Sequence, residues 1–436
     1  METSFDPNRE ELLDLPKGEQ PGWVDHDTAI LVVHGIGNQL PLETLDMFGR
    51  GLIKEYRKLF PDELKISHQI VDKADSRDGV WFDNILRISK EGSPNTIDLY
   101  EYYWANYSED VATWHDINTW LQGVVSGAKN FYKRNSQLGK QYKDKSIFFD
   151  KKGNFNSFYY KIFISAAGKL VITIDTLFRW IILLVGRIPL LGGPAQSMLK
   201  IYTDNIFHGL TNVIGDVVVY NVYDPKSKFY DVKKRIQEGA VKSLQFLIER
   251  QKKSTPFYPS VIVAGHSLGS QVAYDAINRI NLLINQKRIR EYDDEGINQK
   301  TNTHISQQLK GFITFGCPLD KIIFFLRENV PDEQFLRQQF LDHFNGFKQR
   351  DVSFMNSAAT NKNYVKANSG LKRHLEEMKW RNYYDRHDYV SGGLDYYHKL
   401  TNIDCRFKAG RLSFTHSNYW ENEKFYRDII TNFLNN

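Results

Sequence analysis

The pentapeptide Gly265-His266-Ser267-Leu268-Gly269 constrains the fold of this chain more than any other stretch. It follows an apolar run at residues 260–264, which predicts a buried strand, and it precedes a helical pattern that begins near Gln271. A strand, the pattern Gly-x-Ser-x-Gly and a helix together predict a sharp turn called a nucleophile elbow. Glycines flank the serine because a Cβ at either position would clash with the neighbouring strand or helix. The turn lifts the Ser267 hydroxyl above the sheet edge, at a helix N-terminus where negative charge is favoured.

A second motif lies near the N-terminus, where a predicted strand at residues 28–33 runs into His34-Gly35-Ile36-Gly37-Asn38. A His-Gly-x-Gly turn after an early strand supplies half of an oxyanion hole. Two backbone N–H groups that face the developing oxyanion stabilise a tetrahedral intermediate. We assign these groups to Ile36 and Leu268, which follow His34-Gly35 and the serine. The alternative is a glycine-rich turn that closes a strand, with His34 simply hydrogen-bonded.

The candidate general base is His416, one of twelve histidines. It lies in a predicted loop between a strand at residues 403–408 and a terminal helix at residues 423–433. Of the other late histidines, which include His387, three lie in charged helical stretches or follow the candidate acid too closely: His343, His374 and His398. The loop position makes His416 a candidate partner of Ser267.

The candidate acid is Asp388, which follows an alternating, aromatic-rich stretch at residues 378–384 that predicts a strand. Its role would be to hold the imidazole in the correct tautomer and to stabilise the imidazolium. Asp385 is the nearest alternative, and it would otherwise brace the loop. Asp320 is a second alternative because it follows the apolar strand predicted at residues 311–316.

In chain order, these elements resemble the α/β-hydrolase fold, in its lipase and esterase branch. The motifs lie near both ends of the chain, so the resemblance spans most of it. It implies a mostly parallel central sheet flanked by helices, with a large helical cap or lid insertion. It also implies a Ser267, Asp388 and His416 triad that cleaves carboxylic esters through an acyl-enzyme, with no metal and no organic cofactor. The alternatives are an acyltransferase or amidase with the same triad, or a catalytically inactive hydrolase-fold membrane scaffold.

The positions of these motifs predict the domain organisation. Triad candidates scattered over the chain must meet in one domain, so residues 28–104 and 231–436 are expected to form the catalytic core. Residues 1–27 are expected to be a loose, charged lead-in, and residues 105–230 an inserted helical cap. The net charge of +5 is modest for 436 residues, and no Lys/Arg-rich run with interleaved stacking residues is present. A nucleic-acid partner is therefore not expected.

The insertion contains the most apolar stretch of the chain, at residues 158–191, after a lysine-rich stretch at 129–152. Asp175 and Arg179 interrupt the apolar stretch and have the i,i+4 spacing of a helical ion pair. A membrane span, a buried cap helix and an interfacial lid that contacts anionic lipid all remain open. The region 129–191 is thus a candidate membrane-contacting surface, and its apolar character favours an acyl-lipid substrate.

The cellular location is expected to be the cytoplasm, with peripheral membrane contact as the alternative. The polar, acidic N-terminus has no signal-peptide pattern. The two cysteines, Cys317 and Cys405, show no metal-ligand spacing, and free thiols in a reducing compartment explain them most simply.

Overall fold

The computed structural model describes residues 8–14, 20–36, 39–70, 84–108, 111–113, 116, 119, 216–222, 224–252, 255–293, 296–301, 304–322, 346, 348, 371–388, 390–395, 397–407 and 415–435. Its strands are β1 (Arg9–Leu12), β2 (Thr28–Val33), β3 (Leu64–Ile70), β4 (Asn84–Lys90), β5 (Thr96–Tyr102), β6 (Gln251–Lys252), β7 (Thr255–Pro256), β8 (Ser260–His266), β9 (Arg290–Asp293), β10 (Gly296–Thr301), β11 (Leu309–Phe315), β12 (Lys379–Tyr384) and β13 (Thr401–Asp404). Its α-helices are α1 (Glu43–Leu59), α2 (Ala105–Ser108), α3 (Tyr230–Glu249), α4 (Gly269–Asn285), α5 (Ile305–Gln308) and α6 (Glu423–Ile429).

The core of the fold is a nine-stranded sheet in the order β1-β13-β12-β11-β8-β2-β5-β4-β3. The seven strands from β1 to β5 in this order run parallel to one another. Only β4 and β3, at the far edge, pair in the antiparallel direction. A large, mostly parallel sheet with helices makes this an α/β fold, in agreement with the sequence-based expectation at that level.

The central strands β2 and β8 are buried along their whole length. Such continuous apolar runs are typical of parallel strands that are covered on both faces. In β2, Leu31 and Val33 belong to the core on one face of the sheet. Ile30 and Val32 belong to the core on the other face. Because adjacent side chains of a strand point to opposite faces, one short apolar segment serves both cores.

Helices cover both faces of this sheet. Helices α3 and α4 contribute buried side chains such as Ile236 and Val272 to the first core. Helices α1 and α6 contribute Phe48 and Phe425 to the second. The molecule therefore has three layers, and the carboxyl ends of the parallel strands form one edge.

The start of α1 is fixed to the end of β5 by a buried carboxylate. Glu101 accepts hydrogen bonds from the backbone N–H groups of Leu42 and Thr44. These N–H groups belong to the helix N-terminus, which lacks intrahelical acceptors and favours negative charge. Leu42 adopts the left-handed conformation, with φ of 69°. The chain that leaves β2 is thereby anchored before α1 begins.

The structure corrects one expectation about the N-terminal residues. Part of the predicted loose lead-in, Arg9–Leu12, forms the edge strand β1, which pairs in parallel with β13. Asn8 reinforces this edge, because its side chain donates to the carbonyls of Leu394 and Tyr397. The residues Arg-Glu-Glu-Leu have no alternating apolar pattern, so the sequence periodicity does not predict this strand.

Most of the predicted insertion at residues 105–230, including 158–191, lies outside the described residues. Residues 216–220 are helical, and Tyr220 joins the core formed with α3 and α4. In the part of the chain that is described, we find no helix with both the length and the apolar composition needed to cross a membrane.

Candidate active site

The candidate site lies at the carboxyl ends of β2 and β8, where the connections that leave these two strands run to opposite sides of the sheet. Strands β2 and β8 are parallel neighbours. The chain after β2 continues to the β5 side of the sheet, whereas the chain after β8 continues to the β11 side. In open α/β sheets, ligands bind at the carboxyl ends of the strands at such a divergence. Ile36 and Ser267 follow these two strand ends.

Ser267 adopts a strained conformation at the end of β8. Its φ is 51°, in the left-handed region that non-glycine residues rarely enter. Its backbone N–H donates to the carbonyl of Phe315 over 3.0 Å. A Cβ added to Gly265 would lie 2.6 Å from Ser270 Cα, and one added to Gly269 would lie 2.2 Å from the carbonyl oxygen of His34. The two glycines thus permit the close approaches that the elbow requires.

The Ser267 side chain is buried, and its Oγ forms no hydrogen bond with any described residue, the His416 imidazole included. A buried hydroxyl without a partner costs about 1–3 kcal/mol and calls for an explanation. The chain after β2 passes directly beside it, because a Cβ added to Gly35 would lie 2.7 Å from Ser267 Cβ. This approach brings the His34-Gly35-Ile36 turn against the serine.

His34 supports that turn through a defined set of hydrogen bonds. Its Nδ1 donates to the Gly35 carbonyl over 2.8 Å, and its Nε2 accepts from the N–H groups of Trp104 and Ala105. Its ring stacks on Trp104 at 4.8 Å. Burial lowers the pKa of His34 to about 4, so the ring is neutral at pH 7. His34 therefore fixes the turn in place.

Asp388 and His416 lie together after β12 and β13. The Nδ1 of His416 donates to Oδ2 of Asp388 over 2.9 Å, and both residues are buried. With the proton on Nδ1, Nε2 is the nitrogen able to accept a proton. A Cβ added to Gly316 would lie 2.9 Å from His416 Cε1. Gly316 directly follows Phe315, whose carbonyl accepts the Ser267 N–H, so the imidazole lies at the same strand ends as the serine.

The Asp388 carboxylate is held in its ionised form. Burial on its own raises the pKa of this carboxyl, but the hydrogen bond and charge of His416, the Ser391 side chain and the backbone N–H of Val390 outweigh burial. The pKa of Asp388 therefore lies well below its ordinary value. An ionised Asp388 can stabilise a protonated His416.

His266 connects the elbow to the His416 loop. Its Nε2 donates to the His416 carbonyl over 3.2 Å, and its ring lies 4.9 Å from the His416 ring. Burial first, and the neighbouring His416 second, lower the pKa of His266 to about 3. A neutral His266 adds no charge next to the His416 imidazole.

The two alternative acids contact other groups. Buried Asp385 accepts from the backbone N–H of Phe407 over 2.7 Å and from the Thr415 hydroxyl over 3.0 Å. It thereby ties the loop after β12 to the chain just before His416. Asp320, which is partly exposed, accepts from the backbone N–H of Asp395. Among these three carboxylates, the structure shows a hydrogen bond to the His416 imidazole for Asp388.

Within the described residues, no hydrogen bond joins the N–H of Ile36 or of Leu268 to an acceptor. Leu268 is the N-cap of α4, where N–H groups lack intrahelical acceptors. Gly37, the last glycine of the predicted turn, lies outside the described residues.

Comparison of the chain with protein-family models, with curated proteins and with solved structures finds no match. Among the described residues, no cluster of three or more His, Cys, Asp or Glu side chains is arranged to hold a metal ion.

The sequence-based prediction assigned no role to Tyr419. Its hydroxyl donates to Oδ2 of Asp388 over 3.0 Å, the same oxygen that His416 contacts. Tyr419 lies three residues after His416, in a 3₁₀ turn at Asn418–Glu421. The signal in the sequence is this spacing, which places a buried phenol beside the histidine loop. Lys321 was also missed, and its Nζ donates to the Ser391 carbonyl in the acid loop.

Proposed function

We propose that this chain is a serine hydrolase of the α/β-hydrolase fold that cleaves carboxylic esters, with acyl lipids as its substrate class. The observation that carries the proposal is the buried Asp388–His416 hydrogen bond at the strand ends where the strained Ser267 turn lies. Strain of this kind persists where the surrounding structure enforces it, and it clusters at functional sites.

The order of the three groups along the chain supports the fold assignment. Ser267 follows β8, Asp388 follows β12 and His416 follows β13. Serine, acid and histidine in that order are characteristic of α/β-hydrolases, whereas other serine hydrolases use different orders. The strands β8, β11, β12 and β13 are consecutive neighbours in the sheet, so their carboxyl ends gather these groups at one edge.

The proposed reaction follows from these positions. The Ser267 hydroxyl attacks the ester carbonyl while Nε2 of His416 accepts its proton. The N–H groups of Ile36 and Leu268 stabilise the oxyanion. His416 returns the proton to the leaving alcohol, and water activated by His416 then releases the acid and restores Ser267. The hydrogen bond between the Ser267 hydroxyl and His416 Nε2 would form in the substrate complex, as catalytic hydrogen bonds often tighten there.

The substrate class rests on the sequence of the insertion. Residues 158–191 form a long apolar stretch of the sequence between the two predicted core segments. An apolar stretch favours binding of an acyl chain over binding of a small polar ester. The lysine-rich residues 129–152 favour substrates presented at an anionic lipid surface.

The Ser267→Ala variant tests the nucleophile. We expect the parent to hydrolyse a p-nitrophenyl ester and to react covalently with a fluorophosphonate probe. Loss of the hydroxyl should lower kcat by about 10³-fold or more and abolish labelling. Ser417→Ala is a matched control, because Ser417 is exposed and lies next to His416. It should retain parental activity.

The outcomes separate the alternatives. Activity of Ser267→Ala within a few-fold of the parent would remove Ser267 from the mechanism. A parent that neither labels nor hydrolyses a panel of short and long esters would point to an inactive scaffold. A parent that transfers the acyl group to an added alcohol in preference to water would be an acyltransferase.

A further inference from the structure

The carboxylate of Asp388 accepts four hydrogen bonds. Oδ1 accepts from the backbone N–H groups of Val390 over 2.9 Å and of Ser391 over 3.3 Å. Oδ2 accepts from His416 Nδ1 over 2.9 Å and from the Tyr419 hydroxyl over 3.0 Å. An ionised carboxylate has about four lone-pair positions, so this one is fully used. The imidazole and the phenol share one oxygen.

The direction of the Tyr419 hydrogen bond is fixed by its partners. Its single proton points to Asp388, because an ionised carboxylate can only accept. The Ser391 hydroxyl lies 3.2 Å from the Tyr419 oxygen, and the Ser391 side chain also hydrogen-bonds to Asp388. Burial, followed by the charge of Asp388, raises the pKa of Tyr419 well above its ordinary value. The phenol therefore stays protonated and remains a donor at neutral pH.

The acid loop has anchors other than Tyr419. Lys321 Nζ donates to the Ser391 carbonyl over 2.8 Å. The Asn382 side chain donates to the Gly392 carbonyl over 3.0 Å. The Tyr419 ring also packs against Phe407 at 4.9 Å, a contact that does not need the hydroxyl. Removal of the hydroxyl therefore leaves the loop held and changes the surroundings of Oδ2.

We propose that Tyr419 is a positioning residue that shares Oδ2 of Asp388 with His416 and so limits the negative charge that Asp388 presents to the imidazole. This inference rests on the proposed function, in which Asp388 stabilises the protonated His416. Each donor to a carboxylate oxygen takes up part of its charge, so a second donor weakens the bond to the first. Without the phenol, Asp388 would stabilise the imidazolium more strongly.

Other titratable groups around the pair come from several elements. Lys321 and Asp320 follow β11, His266 ends β8, Cys405 follows β13 and Asp385 belongs to the acid loop. None of them contacts the Tyr419 hydroxyl. A Tyr419→Phe substitution therefore changes one hydrogen bond to Asp388 and leaves these charges in place.

The pH dependence of Tyr419→Phe tests the inference. We expect the acidic limb of the kcat/KM profile for a soluble p-nitrophenyl ester to move to higher pH by about half a unit or more, since His416 then holds its proton more tightly. KM should stay within about twofold of the parent, since the phenol acts on the reacting groups and does not bind substrate. A purely structural role would lower activity at every pH and leave the limb in place.

The matched control is Tyr426→Phe. Tyr426 is a buried tyrosine on the same C-terminal segment, and its hydroxyl donates to the Trp420 carbonyl over 3.1 Å, away from Asp388. Its variant should keep the parental limb. Ser391→Ala is a second variant should Tyr419→Phe fold poorly. It removes a hydroxyl that contacts both Asp388 and the Tyr419 oxygen, so the limb should move in the same direction.

A measurement without catalysis separates this inference from the proposed function. NMR of protein labelled at histidine Cε1 follows the titration of His416, whose signal is identified by its loss in His416→Gln. We expect the midpoint to move to higher pH in Tyr419→Phe, whether or not the parent hydrolyses esters. An unmoved midpoint and an unmoved acidic limb would overturn the role of Tyr419, while ester hydrolysis dependent on Ser267 would still uphold the hydrolase.

Discussion

At the level of single residues, Ser267 shows how a short motif determines a three-dimensional site. A left-handed residue with a Cβ costs about 1–2 kcal/mol. The surrounding contacts enforce it, since its N–H bonds to Phe315 and its carbonyl accepts from Ser270. Glycines at 265 and 269 are needed because both lie against backbone atoms. The sequence predicts this turn well because the glycines record close approaches that no other residue allows.

The sequence favours Asp388 as the acid, but it does not show the contact that distinguishes Asp388 from Asp385. Asp385 and Asp388 lie in one loop, both are buried, and both accept from backbone N–H groups. The difference between them is which one faces His416, and this depends on how the loops after β12 and β13 pack. Residue type and spacing carry no information about that packing.

Asparagine substitutions at the two positions should have different effects. Asp388→Asn should lower kcat on the order of 10⁴-fold, because the amide favours the wrong histidine tautomer. Asp385→Asn weakens the bonds to Thr415 and Phe407, so it should lower the melting temperature while kcat stays within about tenfold. Steady-state kinetics and thermal melts of both variants check this. An inactive Asp385→Asn variant together with an active Asp388→Asn variant would identify Asp385 as the acid.

At the level of elements, the buried strands could be predicted and the sheet edges could not. The runs that became β2, β8 and β11 are apolar and bounded by turns, which local pattern alone reveals. The edge strand β1 has the sequence Arg-Glu-Glu-Leu, and its partner β13 lies at the other end of the chain. Polar edge strands are determined by the neighbour that they pair with, and a single sequence does not reveal that neighbour.

Helix α6 is attached to the sheet by a buried charge network. Arg381 on β12 forms hydrogen bonds with both carboxylate oxygens of Asp428 on α6, over 2.9 Å and 3.1 Å. The Tyr383 hydroxyl also donates to Asp428, and Arg381 further contacts Glu11 on β1. One arginine thus joins two strands and the terminal helix.

Removal of one member of this network should be costly. Asp428→Ala leaves the buried Arg381 with Glu11 as its remaining carboxylate and should destabilise the fold by about 3 kcal/mol or more. Glu423→Gln on the same helix is the control. Its side chain is about half exposed and pairs with Lys54 and Lys58, so the cost should be about 0–1 kcal/mol. Urea denaturation compares the two, and equal losses would contradict a structural role for the network.

At the level of the whole molecule, the sheet gathers groups that are distant in sequence. The turn that carries Ile36 and the loop that carries His416 are 380 residues apart in the chain, yet both lie at the carboxyl ends of parallel strands. Chain order and motif type predicted this meeting, because parallel strands place their carboxyl ends at one edge. The predicted contact of residues 129–191 with membranes stays a prediction.

The same burial that assembles the site makes the fold sensitive to acid. His34 and His266 are buried with neutral rings whose pKa values are lowered to about 4 and about 3. In the unfolded chain these rings accept protons at ordinary histidine pKa values, about 6.5. The unfolded state therefore binds more protons below about pH 6.5, and stability is lost as the pH falls from there to about 4 for His34 and to about 3 for His266. The raised carboxyl pKa values of Glu10 and Glu101 act in the opposite direction.

The contribution of His34 can be isolated by comparing variants at each pH, because the opposing carboxyls are common to both proteins. The stability of the parent relative to His34→Gln should fall by about 2 kcal/mol between pH 7 and pH 5, given a folded-state pKa of about 4. Urea denaturation at both pH values measures this difference. His26→Gln, at a histidine whose side chain is exposed to water, is the control variant. A His34→Gln difference that does not change with pH would mean that His34 accepts a proton in the folded protein. Its hydrogen bonds from Trp104 and Ala105 to Nε2 would then have to break, and the turn beside Ser267 would not be the one described.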